Sequence, residues 1–209
     1  PGSTFEQYVA DENYFVSYNP NNDHPDTISA SDHQSSSNPF FSSFVAAKSG
    51  YKMKAGDILV CHGTNSTGRF VGHAAFATSA NYILEMPGPG HTVEHPTKGA
   101  FFKKHTGKGK YVDVYRIEKH PHYADDASTY AYRHLYIRPQ DRPKYGFEYG
   151  LYNMTESYCS KYVYYSYYKV LPKGAIRTYV GPHILHPFTF VGNFNGSFTA
   201  SYIHKVTSW

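Results

Sequence analysis

The sequence predicts an α+β protein in which an antiparallel sheet of about five or six strands packs against one buried helix. Three observations carry this prediction. A hairpin pattern with alternating faces spans residues 71–86, and a short apolar run at 57–62 is typical of a strand buried on both faces. An aromatic segment, YCSKYVYYSYY, spans residues 158–168 with apolar side chains on all sides, as in a buried helix.

The composition fits a globular chain. Its 209 residues are 40% hydrophobic, which is enough to bury a core without disulfides. The formal net charge of +4 favours an anionic surface such as a cell wall, but no long basic run indicates nucleic acid. No apolar run is long enough to span a membrane.

The composition also bears on location. Charged residues make up only 17%, while Tyr, Ser, Asn and Gly are plentiful. We therefore expect a secreted or cell-surface location, with the signal peptide removed, rather than a cytoplasmic one.

Residues 1–39 are predicted to form a polar, partly ordered arm, followed by a single domain at 40–209. Asn, Asp, Ser and Pro dominate residues 19–39, and such a segment buries too little apolar surface to offset the entropy lost on ordering. A surface linker is one interpretation of the arm, and a lid over a substrate cleft is the other. Residues 40–50 are predicted to form a short helix closed by Gly50.

The segment at 158–168 contains conflicting signals. Its tyrosine and valine residues favour a strand by propensity. Its all-round apolar pattern, a cap at Thr155 or Ser157 and a stop at Pro172 favour a helix. We expect a helix with Cys159 in its first turn. The positive end of a helix dipole stabilises a thiolate, which makes Cys159 a candidate nucleophile.

Cys61 is the second of two cysteines and lies inside the apolar run at 57–62. An inert core cysteine is the expected role. A Cys61–Cys159 disulfide is the alternative in an oxidising compartment, and it would abolish the proposed nucleophile. His62 is adjacent, but neighbours on a strand point to opposite faces, so these two residues do not form a catalytic pair.

The hairpin places His73 on the same face as Ala75 and Ala77. These small side chains leave space beside the imidazole. A tight turn brings opposing hairpin positions to roughly 5 Å, so Glu85 can reach His73. A carboxylate beside an imidazole orients the ring and supports its protonated form, as in a catalytic triad. The alternative is a structural histidine beside a solvated strand-end charge.

The remaining elements follow from shorter patterns. They are a strand at 91–95, a basic turn at 103–110, a strand at 111–117, a helix around 125–137 and an edge strand at 198–206. None of the thirteen histidines has the spacing of a zinc motif, so neither a metal nor another cofactor is expected.

The order of AGDIL, GHAAFA, ILE and YCSKYVYYSY resembles that of the circularly permuted NlpC-type cysteine peptidases. In this papain-like group, which includes relatives of lecithin retinol acyltransferase, the histidine strand precedes the cysteine helix. The resemblance covers roughly residues 50–192. It implies a papain-like fold with the cysteine at the start of a packed helix. It also implies that Cys159 is the nucleophile, His73 the general base and Glu85 the residue that orients the imidazole.

The resemblance further implies a set of residues around the substrate. Tyr145, upstream of the cysteine, would line the site and aid the oxyanion, and the other expected substrate-binding residues are Gly72, Tyr158 and Ser160. Lys161 stands where such proteins often carry an acidic or small residue.

These residue types predict a cysteine hydrolase. The Cys159 thiolate would attack a carbonyl, His73 would protonate the leaving group, and the Cys159 N–H would support the oxyanion. The resemblance favours a peptidase or amidase that cleaves amide bonds in peptidoglycan peptides. One alternative is a lipid acyl-amide or ester hydrolase or acyltransferase of the same fold. Another is a noncatalytic wall-binding module whose tyrosines stack on carbohydrate. The expected partner is a peptide or acyl-amide substrate, and nothing indicates an oligomeric state.

Overall fold

The computed structural model describes residues 50–64 and 72–209. The predicted arm at 1–39, its boundary with 40–209, and the predicted helix at 40–50 up to Gly50 lie outside these residues. The described chain is α+β, with a five-stranded antiparallel sheet and three α-helices.

The main sheet has the strand order β3-β2-β1-β4-β7, and every neighbouring pair is antiparallel. A separate parallel pair joins β5 to β6. In chain order the strands are β1 (Ile58–His62), β2 (His73–Ala77), β3 (Ile83–Glu85), β4 (Tyr111–Arg116), β5 (Lys144–Tyr145), β6 (Glu156–Ser157) and β7 (Ser201–Val206). The predicted first strand, hairpin, strand at 111–117 and C-terminal edge strand are thus confirmed.

The helices cover the two faces of this sheet. They are α1 (Lys98–His105), α2 (Pro121–Leu135) and α3 (Cys159–Val170), with 3₁₀ turns at Pro139–Asp141, Phe190–Asn193 and Gly196–Phe198. One buried cluster joins α2 and α3 to alternate residues of β1 and β2. A second cluster on the opposite face joins α1 to the intervening residues of the same strands. The strands of the hairpin are therefore buried on both sides, a setting that suits their small and apolar residues.

The helix predicted around Cys159 is confirmed as α3. Tyr162 and Tyr167 are buried against Phe76 of β2, and the Tyr167 hydroxyl donates to the Gly56 carbonyl oxygen. This burial outweighs the strand propensity of the aromatic residues, because packing supplies most helical stability in proteins. The predicted cap was wrong, since Tyr158 holds the N-cap position without a capping side chain.

Two predictions for the middle of the chain need correction, although the basic turn predicted at 103–110 is present from residue 106 onward. Residues 103–105 belong to the last turn of α1 rather than to a basic turn, because Phe101 and Phe102 anchor this helix in the core. The expected strand at 91–95 is reduced to an isolated bridge between Glu85 and Glu94. Prolines that precede and follow this segment remove backbone donors and limit its pairing.

A buried ion pair ties the start of β1 to the end of β4. Asp57 accepts from Arg116 Nε at 2.6 Å and from Arg116 Nη2 at 2.8 Å, and the Tyr51 hydroxyl also donates to it. Loss of either partner would leave an uncompensated charge beside these strands. Among the described residues, no helix is long and apolar enough to cross a bilayer.

Candidate active site

His73 and Glu85 lie on neighbouring strands and face the same side of the sheet. His73 begins β2, Glu85 ends β3, and the direct partner of Glu85 is Ala75. His73 is one diagonal step away, and its Nε2 atom lies 2.8 Å from Glu85 Oε2. Both side chains are buried. This distance is that of a charge-assisted hydrogen bond, which is strengthened by the low local dielectric.

Two residues of α1 surround the same carboxylate. His105 Nε2 lies 3.3 Å from Glu85 Oε2, and Lys104 Nζ lies 3.1 Å from Oε1. The ring of His105 stacks on that of His73, with centroids 5.2 Å apart. The carboxylate therefore meets polar hydrogens from both β2 and α1.

His105 and Lys104 were not predicted as site residues, because the lysine-rich pattern around them indicated a turn. A helix signal was present, since the Thr97 side chain accepts a hydrogen bond from the Ala100 N–H as an N-cap. The spacing of Phe101 and His105 also places them on one helix face.

Charge is divided unequally between the two histidines. Burial opposes protonation of His73, but interactions with Cys159 and Glu85 outweigh it and raise the pKa of His73 to about 9. Burial likewise opposes ionisation of Glu85, yet hydrogen bonds from His105 and His73 hold its pKa well below the ordinary value. Burial lowers the pKa of His105, and Glu85 offsets this only in part. At neutral pH the cluster thus contains a His73 imidazolium, a Glu85 carboxylate and a neutral His105.

Cys159 is the first residue of α3 and is fully buried. Its backbone N–H is among the four at a helix start that have no partner within the helix. Within the described residues, His73 Nδ1 has no hydrogen-bond partner of good geometry. The Cys159 side chain nevertheless lies close enough to raise the pKa of His73. Because Nε2 is committed to Glu85, Nδ1 is the ring nitrogen left for the sulfur.

Cys61 differs from Cys159 in its surroundings. Both thiols are free, and Cys61 is buried in the cluster that α1 covers. Burial, followed by the charge of Glu85, raises the pKa of the Cys61 thiol well above its ordinary value. This thiol is poorly suited to nucleophilic chemistry, as expected for a core cysteine.

Tyr158 and Ser160, both expected to contact substrate, hold the segment around Leu185. The Tyr158 hydroxyl accepts from the Leu185 N–H at 2.9 Å, and Ser160 Oγ donates to the Leu185 carbonyl oxygen at 2.7 Å. Burial and the nearby Cys159 raise the pKa of Tyr158 to about 12, against the hydrogen bond from Leu185. In this structure the two side chains hold the backbone of Leu185 near Cys159.

Tyr145 and Gly72 also border this region. Tyr145 lies on β5, whose partner β6 directly precedes α3, and burial and the nearby Cys159 raise the pKa of its hydroxyl. Gly72 has φ of 114°, and a Cβ atom there would overlap the ring of Phe188. Gly72 therefore permits close packing immediately before His73.

Lys161 is buried in the first turn of α3. Its Nζ atom donates to the Glu156 carbonyl oxygen at 2.8 Å and lies 3.4 Å from Glu148 Oε2. Burial lowers the pKa of Lys161, and Glu148 counteracts this. The residue that departs from the NlpC-type pattern thus ties the segment before Cys159 to the helix.

His73, Glu85 and His105 are also a group of three whose ligand atoms lie within 4.8 Å of one another, as a metal site would require. The Lys104 ammonium and the Nε2 atoms of His73 and His105 already contact this carboxylate. A metal cation would have to displace them. The arrangement fits a hydrogen-bonded network better than a metal centre.

Comparison with known proteins identifies the family of the chain. The family described as "Lipoprotein N-acylation protein LnsA-like" matches residues 27–206. The chain belongs to this family. The LnsA-like match includes β2, β3 and α3, so the whole candidate site lies inside it.

A relative from Bacillus thuringiensis, described as an uncharacterized 30.3 kDa protein, is 33% identical over 160 residues. The alignment covers 74% of this chain and 58% of the relative, so the LnsA-like chain spans little more than half of that protein. No solved structure matches the chain.

Proposed function

We propose that this LnsA-like protein is a cysteine acyltransferase that moves an acyl group from an ester-bearing lipid to an amine. The observation that carries the proposal is the pairing of Cys159 and Glu85 with His73, whose pKa they raise to about 9. An imidazolium held between a carboxylate and a thiol is the arrangement that activates sulfur in cysteine enzymes. The family description supplies the acceptor class, an amine of a lipoprotein.

In the first half-reaction the Cys159 sulfur attacks the carbonyl carbon of the acyl ester. The carbon–sulfur bond forms, and the carbon–oxygen bond to the alcohol breaks. His73 gives its proton to the departing alcohol, and the acyl group remains on sulfur as a thioester. The Cys159 N–H and the Tyr145 hydroxyl support the negative oxygen of the tetrahedral intermediate.

In the second half-reaction the acceptor amine attacks the thioester carbonyl. His73, now neutral, takes a proton from the amine, and the carbon–sulfur bond breaks to release the amide and the Cys159 thiolate. Glu85 holds the ring and supports the imidazolium that forms. The sum is ester plus amine to amide plus alcohol, with no redox change. Water in place of the amine would give hydrolysis.

The order of the residues supports a papain-like relationship of the permuted NlpC type, since the His73 strand precedes the Cys159 helix. Peptidoglycan peptide cleavage would use the same residues with an amide as donor. The family description favours lipid acyl transfer, and with it a place at the cell envelope. Because Cys159 has no exposed surface, the acyl carbonyl reaches it only when covering groups move aside.

Trapping the acyl-enzyme tests this proposal. The protein is incubated with phospholipid vesicles and a diacylglyceryl-cysteine lipopeptide with a free amine, and products and protein are followed by mass spectrometry. We expect a hydroxylamine-sensitive acyl adduct on Cys159 and an N-acylated lipopeptide. Cys159→Ala should abolish both, whereas Cys61→Ala is the matched control and should retain both.

The other outcomes separate the alternatives. Fatty acid without N-acylated lipopeptide would indicate a lipid hydrolase. Amino groups released from purified peptidoglycan, with no acyl adduct from lipid, would favour the wall-peptide amidase. Equal activity in wild type and Cys159→Ala would exclude Cys159 chemistry.

A further inference from the structure

We propose that His105 is a positioning residue that fixes the Glu85 carboxylate against His73; this inference rests on the proposed function of that site. The site is then a set of four residues, Cys159, His73, Glu85 and His105, in which the second histidine acts on the first through the carboxylate. His105 contributes from α1, an element that supplies no other member of the proposed triad.

The geometry converges on a single oxygen atom. His73 Nε2 and His105 Nε2 lie 2.8 Å and 3.3 Å from the same Glu85 Oε2. The rings are nearly parallel, with an interplanar angle of 13°, and Phe101 packs against His105 with centroids 4.5 Å apart. Both histidines are buried, so water cannot replace either hydrogen bond without entering the core.

The two imidazole rings differ in protonation and therefore have different roles. An ionised carboxylate only accepts, so both Nε2 atoms donate to Oε2. For His105 this selects the neutral Nε2–H tautomer, and its Nδ1 has no hydrogen-bond partner among the described residues. Burial and the charge on His73 disfavour a second imidazolium there. His105 thus acts as a neutral donor that does not compete for the positive charge.

Lys104 holds the other end of the carboxylate. Its Nζ lies 3.1 Å from Oε1, but its side chain is 47% exposed, whereas His105 is 2% exposed. The lysine is free to follow the carboxylate, while His105 is fixed by packing. Without the His105 donor, Glu85 can turn toward Lys104 and away from His73. The other titratable groups that act on this pair are Cys61 of β1 and Cys159 of α3.

Comparison of His105→Leu with His105→Gln tests the inference. Glutamine places an amide donor at a similar reach, whereas leucine fills the space without one. The pKa of His73 is measured by NMR titration of its imidazole nitrogens, a readout that needs no substrate. We expect about 9 in the wild type and a value close to it in the glutamine variant. In the leucine variant the pKa of His73 should be lower by about one unit or more.

A double-variant cycle shows whether the effect runs through Glu85. On a Glu85→Gln background, His105→Leu should shift the His73 pKa no further, because the carboxylate that it positions is absent. Urea unfolding checks that each variant is folded. If His105→Leu does not fold, His105→Asn, which is too short to reach Oε2, makes the same comparison. An unchanged His73 pKa in a folded variant without the donor would overturn the inference, as would equal shifts in the glutamine and leucine variants.

The two proposals can fail separately. An inactive wild-type protein with the predicted His73 shifts would refute the acyltransferase and leave the role of His105 intact. Full acyl transfer, together with a His73 pKa that does not change in the His105 variants, would support the acyltransferase and refute the role of His105.

Discussion

The Tyr158 hydroxyl accepts a hydrogen bond from the Leu185 N–H at 2.9 Å, which links the residue before Cys159 to a distant loop. Ser160, the residue after Cys159, donates to the carbonyl oxygen of the same Leu185. The start of α3 is thereby held on both sides of the cysteine. The position of the sulfur depends on this loop as well as on the helix.

Tyr158→Phe should lower the free energy of unfolding by about 1–3 kcal/mol, because the buried Leu185 N–H loses its acceptor. Urea denaturation measures the change. Tyr202→Phe is the matched control, since Tyr202 is 54% exposed and should tolerate loss of its hydroxyl. Equal stability of the two variants would show that the Leu185 hydrogen bond adds nothing.

Gly72→Ala should destabilise the protein more than the same change at Gly90. Both glycines have positive φ, which costs an alanine about 1–2 kcal/mol, but only at Gly72 would the new methyl overlap Phe188. The overlap should add about 1–3 kcal/mol. Thermal or urea unfolding gives the values. In the Gly72→Ala background, Phe188→Leu should restore the additional unfolding free energy that the overlap removes. If it does not, overlap with Phe188 is not the cause of the destabilisation.

The stability that His73 contributes should decline as pH rises from about 6.5 toward 9. Its folded pKa of about 9 exceeds the ordinary value, so the contribution is complete below the unfolded pKa and is lost on passing through the folded one. The difference in unfolding free energy between wild type and His73→Gln should therefore shrink across this window. One group can give a slope of at most about 1.4 kcal/mol per pH unit. A difference that is constant with pH would contradict the raised pKa.

Tyr145→Phe should lower kcat for acyl transfer by about 100-fold with little change in KM, if its hydroxyl supports the oxyanion. Burial and the nearby Cys159 raise the pKa of Tyr145, so the hydroxyl remains a donor at neutral pH. Steady-state kinetics with the lipopeptide acceptor measure the effect. Tyr149→Phe, on the same segment but 53% exposed, should be neutral. An unchanged kcat in Tyr145→Phe would remove this residue from the mechanism.

The sequence predicted the elements whose pattern is local. The apolar run of β1 and the alternation of β2 and β3 are set by residues that are neighbours in the chain, and the small-residue face beside His73 is visible in GHAAFA. Helix α3 was predictable because its apolar residues fall on all sides, despite unfavourable propensities.

The contacts that could not be predicted join elements far apart in sequence. His105 contacts Glu85 only because α1 packs across the sheet. The short helix was not predicted, because its lysines made the segment resemble a basic turn. Leu185 is bound to the start of α3 through its backbone N–H and carbonyl oxygen, which contact the side chains of Tyr158 and Ser160, so the identity of residue 185 gives no signal. Both cases depend on tertiary packing, which a periodicity argument does not contain.

The separation of β2 from α3 along the chain bears on biosynthesis. The ribosome makes His73 and Glu85 well before Cys159, and the sulfur meets the imidazole only after α3 has docked. A nascent or unfolded chain therefore lacks the proximity of Cys159 to His73 on which the proposed function rests. Under the proposed function, acylation would begin only once the fold is complete, so an immature chain would not acylate itself or its neighbours.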